Sequence, residues 1–140
     1  MPPARGRILD RRGRELALDI RMDSLYAVSR EIKNKAEVAT ALSKILGMDR
    51  GEILRRLQRD KLFGWISRKV SPAKAEAIKK LKIDKLGFLK ESQRVYPKGE
   101  TACQLIGFTG IDNEGLEGIE RHYDSLLKGV PGWRLAKKDA

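Results

Sequence analysis

One cysteine and one histidine occur in 140 residues. Cys103 therefore has no internal disulfide partner, which excludes a disulfide-stapled scaffold, and it reads as a small buried apolar residue. One His with one Cys also gives no metal-ligand cluster of recognisable spacing. No run approaches the roughly 18 apolar residues of a membrane span, and MPPARGR at the start lacks the apolar block of a signal peptide. As given, the chain is expected to be soluble and untargeted. Repeats of 20 to 50 residues and low-complexity tracts are lacking too, which excludes a solenoid. Acidic residues are scarce before position 101, where 25 Lys and Arg face 13 Asp and Glu, against 5 and 6 after it. Such a surface attracts nucleic acid, an anionic membrane or an acidic partner, and charge alone does not choose among them.

With 41% hydrophobic and 35% charged residues, the composition is that of a globular protein long enough for one domain with a real core. Seven of its 13 glycines and two of its five prolines fall within residues 94–132. Glycine serves where φ is positive or backbones touch, and proline where φ is pre-set, so this stretch specifies turns around one helix.

Ile8 and Leu9 read as a short strand, Asp10 to Gly13 as a turn, and Leu16, Leu18 and Ile20 as the buried face of a returning strand, alternating with Ala17, Asp19 and Arg21. A separate third strand is expected over Ser24 to Ser29. Val38, Leu42, Ile45 and Leu46 then give a helical stripe over 36–47 ending at Gly47. Asp49 and Glu52 form a capping-box-like start for a second helix containing Ile53, Leu54 and Leu57. Residues 62–70, LFGWISRKV, are a strand candidate. Ser71 and Pro72 start a helix with Ala75, Ile78 and Leu81 inward and Lys79, Lys80 and Lys82 on the wet side. A strand over 86–92 follows. Thr101 is expected to cap a short helix through Leu105 and Ile106, stopped by Gly107. After a turn near Asp112 and Asn113, one long amphipathic helix is expected over 115–128, with the stripe Leu116, Ile119, Tyr123, Leu126 and Leu127 and a Glu117–Arg121 pair. Gly129 ends it, and GWRLAKK would be a closing strand. This order fits an α+β fold with a mainly antiparallel sheet, a helical hairpin lobe within 36–82 and a long C-terminal amphipathic helix, all in a single domain, 1–140.

Ser71-Pro72-Ala73-Lys74 matches S-x-x-K, in which a serine at a helix start is activated by a lysine one turn on. That chemistry also needs S-x-N and K-T-G elements, and neither occurs, so Ser71 reads as a cap and no residue is assigned to catalysis. His122 is placed on the flank of the last helix. Asp112, Glu114, Glu117 and Asp124 read as a solvated acidic face. Glu120, one position past apolar Ile119, flanks the buried stripe, which favours a paired charge with a nearby arginine. Gly107 to Gly110 and Gly115 to Gly118 both fit a loose G-x-x-G phosphate clamp, but their acidic neighbours oppose phosphate. Tyr26, Phe63 and Trp65 amid the basic residues suit a nucleic-acid face or a core, and a basic nucleic-acid-binding module stands as the alternative reading.

Two motifs together are specific. Arg5-Gly6-Arg7-Ile8-Leu9-Asp10-Arg11-Arg12-Gly13-Arg14-Glu15-Leu16-Ala17 resembles the R-G-x-I-x-D-R-x-G-x-x-L-A signature that opens the non-catalytic N-terminal module of class B penicillin-binding proteins. Arg94, Tyr96, Pro97, Gly99 and Gly107, then Gly115, Gly118, Glu120 and Gly129, resemble that module's closing R-x-Y-P-x-G and G-x-x-G-x-E motifs. The middle of the chain is most similar to the septal cell-division branch and its sporulation relatives. Gln104 stands where many relatives carry histidine, and Lys85 or Leu86 where a glycine is common.

The resemblance implies a pedestal or dimerisation domain, an excised piece lying between a membrane anchor and a C-terminal transpeptidase on the extracytoplasmic side. It implies no cofactor and no metal. Its expected partners are its own transpeptidase domain, a membrane peptidoglycan glycosyltransferase, other division proteins and, in a homodimer, a second copy; nucleic acid is not expected. The motif residues are expected to be structural, with Glu120 paired to Arg5 or Arg11.

Overall fold

The computed structural model describes residues 3–59, 62–99 and 103–131. Four strands pair into one sheet: β1 (Ile8–Leu9), β2 (Glu15–Ala27), β3 (Gly64–Val70) and β4 (Leu86–Val95). The β1–β2 and β2–β3 pairs are antiparallel, and β4 also pairs with β2. The helices are α1 (Lys35–Leu46), α2 (Arg50–Gln58), α3 (Pro72–Lys80), α4 (Cys103–Ile106), α5 (Gly118–His122) and α6 (Asp124–Leu127), with a 3-10 turn at Ser29–Glu31. The result is an α+β fold. By contacts the chain divides into two compact units, Met1–Ile20 with Ser92–Ala140, and Arg21–Glu91.

The second unit, Arg21–Glu91, holds the apolar core. Val38, Ala39, Leu42 and Leu46 of α1, Ile53 and Leu57 of α2, and Ala75 and Ile78 of α3 bury against Leu25, Ala27, Ile66 and Val70 of the strands. Gly47 ends α1 at φ 72°, and the Asp49 carboxylate accepts the Glu52 N–H at 2.8 Å, as the spacing predicts. Glu52 does not complete a reciprocal box, because its carboxylate is held by Arg56. The β2–β3 register shifts twice, between Asp23 and Leu25 and again before Tyr26. Lys69 takes φ 53° at the first shift, and its N–H donates at 2.8 Å to the buried Ser24 hydroxyl. A side chain thus replaces the ladder bond that the extra residue removes. Lys85 adopts φ 69°, a conformation that favours glycine, and its ammonium pairs with Glu31 at 2.6 Å.

The first unit is built differently. Its buried residues among those described are Arg5, Ala17, Arg94, Ile106, Gly107 and Glu120, three of them charged. Here four expectations fail. Residues 15–27 form one strand rather than two, and the face that closes is Ala17 with Asp19, while Ile20 is 39% exposed. Alternation alone gives two faces, and the charged cluster selected the one with the small residue and the carboxylate. The single long helix over 115–128 is instead two short ones, because Gly115 pairs with Thr109 in a bridge and Tyr123 leaves helical geometry at φ −104°, ψ 21°. Glu117 therefore precedes the helix instead of pairing along it, and Leu116, Tyr123 and Leu126 are exposed. In the second unit, Leu81 lies past the end of α3 and is 41% exposed, and Ser71 makes no side-chain cap bond. The expected cap Thr101 and the strand GWRLAKK lie outside the described residues, as does the Cys103 side chain.

Candidate functional site

The first unit closes on a buried ionic cluster. Arg5 precedes β1, Arg94 lies near the end of β4, and Glu120 sits in the first turn of α5, so sequence separations of 26 and 115 residues meet at one carboxylate. Arg5 Nε donates to Glu120 Oε2 at 2.6 Å, and Arg94 Nε donates to Glu120 Oε1 at 2.7 Å. The Glu120 side chain is fully buried and each arginine side chain is 1% exposed. Charges this deep persist only when paired and hydrogen-bonded, and the surroundings supply partners for every side-chain polar atom of Arg5 and Glu120, while Arg94 Nη2 is left without one among the described residues.

Arg5 uses its fork completely. Nη1 donates to Asp124 Oδ1 at 2.7 Å and to the Asn113 carbonyl at 3.1 Å, and Nη2 to the Glu120 carbonyl at 2.7 Å. Its backbone N–H donates to Asp19 Oδ2 at 2.8 Å, and Arg94 Nη1 donates to Asp19 Oδ1 at 3.1 Å. Asp19 also accepts from Asn113 Nδ2 at 2.8 Å. Two guanidinium groups thus alternate with three carboxylates. Burial pulls the Arg5 pKa down, but the hydrogen bonds it donates to Glu120 and Asp124, with the charges of those carboxylates, outweigh it and leave the pKa raised, so Arg5 stays charged. The Gly115 N–H, 2.7 Å from Asp124 Oδ1, and then Arg5 hold the Asp124 carboxyl below its ordinary range. Tyr96 directs its hydroxyl at Glu120 Oε1 at 3.4 Å; burial first and the Glu120 charge second raise its pKa.

The glycines set the backbone around this cluster. Gly107 (φ 76°) and Gly118 (φ 60°) face each other so closely that a Cβ on Gly107 would overlap the Glu117 carbonyl, and one on Gly118 would meet the Gly107 nitrogen. A Cβ on Gly115 would overlap the Glu120 carbonyl. Gly107, Gly115 and Gly118 are therefore backbone-against-backbone contacts and Gly110 faces the Glu114 carboxylate, an arrangement that leaves no room for a phosphate at those faces. Gly6 donates its N–H to the Leu127 carbonyl at 2.7 Å, and Gly129 (φ 66°) lies against Pro3. Gly99 donates to the Tyr96 carbonyl at 2.9 Å, closing a turn through Pro97. Asp10 stays local: Oδ1 accepts from the Arg12 and Arg14 N–H groups, and Gly13 turns the hairpin at φ 75°. Arg11 is exposed at that tip and takes no part, which decides between the two expected partners of Glu120 in favour of Arg5.

Other candidates fall elsewhere. Lys74 Nζ donates to the Leu46 carbonyl at 2.8 Å, capping α1, so the lysine that S-x-x-K chemistry would need is already engaged. His122 is exposed with its ring edge-on to Tyr123. Tyr26 stacks on Phe63 at 5.0 Å, Phe63 meets Trp65 edge-on at 5.0 Å, and the Arg68 guanidinium covers Trp65 at 5.6 Å. These rings are engaged with one another and with an arginine. No group of three or more potential metal ligands occurs among the described residues.

The sequence reading missed Asp19, Asn113 and Asp124. Asp124 was assigned to a solvated face and Asp19 to an outward one. One signal was present: two motif arginines cannot both be neutralised by Glu120 alone, so further carboxylates had to converge.

Residues 1–140 match the family described as the penicillin-binding protein dimerisation domain. The chain is 35% identical to peptidoglycan D,D-transpeptidase FtsI of Escherichia coli, over 97% of this chain and 24% of that protein. It is 36% identical to a probable peptidoglycan D,D-transpeptidase, PenA, of Neisseria meningitidis, over 99% and 24%. To the stage V sporulation protein D of Bacillus subtilis it is 35% identical over 93% and 21%. The chain thus spans about a quarter of these relatives. Among solved structures, a peptidoglycan synthetase from Bifidobacterium adolescentis shares the fold at TM-score 0.52 and 22% identity, over 92% of this chain and 29% of that one.

Proposed function

The chain belongs to the penicillin-binding protein dimerisation domain family, and from that premise we propose that it is the non-catalytic pedestal of a peptidoglycan D,D-transpeptidase active in septal cell division. In this reading it carries the parent's catalytic domain on the extracytoplasmic side of the membrane and docks the glycosyltransferase and other division proteins. The motif residues act structurally. Arg5, Arg94 and Glu120 fix the backbone of residues 105–127, and the glycines let its segments approach.

The observation that carries the proposal is what that stretch and its continuation to residue 130 present. Leu105, Phe108, Ile111, Leu116, Tyr123, Leu126 and Val130 are all exposed, up to 87% at Val130. Single exposed apolar residues are ordinary on any protein, whereas seven within 26 residues mark a surface kept for another body. A buried ionic cluster suits this purpose, since it holds a shape without consuming the apolar side chains that the partner covers. No described helix is long and apolar enough to cross a membrane.

Hydrogen exchange on this chain and on its full-length parent tests the reading. Amides of residues 105–130 are expected to exchange at least tenfold more slowly in the parent. A fluorescent penicillin should acylate the parent and leave this chain unlabelled. Equal exchange in the two proteins, or labelling of Ser71, would overturn it.

A further inference from the structure

The second unit contains a cleft of about 670 Å³ that shares no residue with the buried ionic cluster, within the size range of ligand-binding pockets. One wall is the outer face of α2. Glu52, Arg55 and Arg56 share that face of α2, and Arg59 follows just past the helix end, so three guanidinium groups and one carboxylate line the cleft. Phe63, Gly64 and Trp65 at the start of β3 line the cleft as well, together with Ser29.

One of the three arginines is committed and two are not. Arg56 is fixed by the Ile66 carbonyl at 2.5 Å and by the Glu52 carboxylate. Arg55 and Arg59 are exposed and have no ion-pair partner among the described residues. The Ser29 side chain supplies a second, independent observation. It is 1% exposed, it lines the cleft, and its hydroxyl has no hydrogen-bond partner. A buried hydroxyl left unpaired is destabilising unless something reaches it. Gly64 keeps the approach open: a Cβ there would have only the Ser29 hydroxyl within 4 Å, at 3.9 Å.

We propose that this cleft binds an acidic peptide segment of a partner protein, with carboxylates on Arg55 and Arg59, a large apolar side chain against Phe63 and Trp65, and a polar backbone group on Ser29. Guanidinium forks match carboxylates in two-point geometry. Single-stranded nucleic acid fits less well. Tyr26 covers one face of Phe63 and Arg68 one face of Trp65, which leaves fewer ring faces than a run of stacked bases uses. Glu52 would also repel a phosphate, yet it can accept a peptide N–H.

A display library of random 12-residue peptides, selected on the 140-residue chain, tests this. Survivors are expected to be enriched at least twofold in Asp and Glu and to carry a Leu, Ile, Phe or Trp. The best peptide, synthesised with a fluorescein label, should lose at least tenfold in affinity on the double substitution Arg55→Glu, Arg59→Glu, and similarly on Gly64→Leu, which fills the cleft. Arg11→Glu with Arg12→Glu makes the same change in net charge on the hairpin and should leave affinity within twofold. Circular dichroism of each variant checks that it is folded. The proposal fails if no peptide is enriched, if the survivors are neutral or basic, or if both charge reversals weaken binding equally. It fails equally if an oligothymidylate or phosphatidylglycerol vesicles bind through Arg55 and Arg59 in place of the peptide.

Discussion

Replacing Glu120 by alanine removes the carboxylate shared by Arg5 and Arg94, and its consequence can be worked from the cluster. Arg5 keeps Asp124 and the Asn113 and Glu120 carbonyls, and Arg94 keeps Asp19, so neither guanidinium loses all its counter-charge. Each does lose its Nε acceptor, at 2.6 and 2.7 Å, in a site closed to water. An orphaned buried donor of this kind costs about 1–3 kcal/mol, and two of them give roughly 4 kcal/mol, within the range of about 3–5 kcal/mol for breaking a buried ion pair. For a chain of this length a loss of that size lowers Tm by roughly 10–15 °C. Glu120→Gln keeps the shape and one acceptor and should fall by about half as much. Differential scanning calorimetry measures the shift, and hydrogen exchange locates it. Protection should be lost at residues 5–20 and 103–127 and retained in α1, α2 and α3, whose apolar core contains none of the cluster. Arg11→Ala, at an exposed site, should leave Tm within about 2 °C, consistent with the ±0.5 kcal/mol typical of surface substitutions. A Glu120→Ala protein that melts with the parent would refute the reasoning, and so would one that loses protection evenly across the whole chain.

The remaining predictions concern acid, glycine and the bulge. Asp124, held low first by the Gly115 N–H and then by Arg5, binds fewer protons folded than unfolded, as do Asp23, held low first by Lys90, and Glu91, held low first by Arg68. Their contribution is therefore present above the ordinary carboxylate pKa of about 4 and is lost as pH falls through the depressed folded values. Unfolding followed by circular dichroism should begin below about pH 4 and be less steep in Asp124→Asn; onset near pH 6 would contradict it. Gly107→Ala should destabilise by more than about 2 kcal/mol in urea melts, since it adds overlap with the Glu117 carbonyl to the strain of φ 76°. Gly13→Ala, with open space around a Cβ at φ 75°, should cost only about 1 kcal/mol, and equal losses would show that crowding at Gly107 is unimportant. Ser24→Ala deprives the Lys69 N–H of its acceptor and should cost about 1–3 kcal/mol, read from the same melts; no change would show that the bulge has another support.

The elements of the second unit were legible because local rules and burial agree there. The stripe of Val38, Leu42 and Leu46, the Gly47 stop and the Asp49 cap each have a local cause, and the core formed where those stripes point. In the first unit the same rules misled. Leu16, Leu18 and Ile20 alternate correctly for a strand, yet the Asp19 face is the one that closes, since two buried arginines require carboxylates more than the strand requires a leucine face. The expected long helix failed for a related reason. Its glycines serve close backbone contacts at Gly107 and Glu120, and these interrupt the periodic pattern that Leu116 and Ile119 suggest.

The sequence by itself determined the family, the α+β class and the pairing of Glu120 with an arginine, because motif residues and turn glycines are properties of short segments. Which arginines meet that carboxylate was decided only by the tertiary structure. Arg5, Asp19, Arg94, Asn113 and Asp124 are brought together across as many as 119 residues of chain. A charge's partner at that separation depends on where the whole unit closes, and no local spacing encodes it.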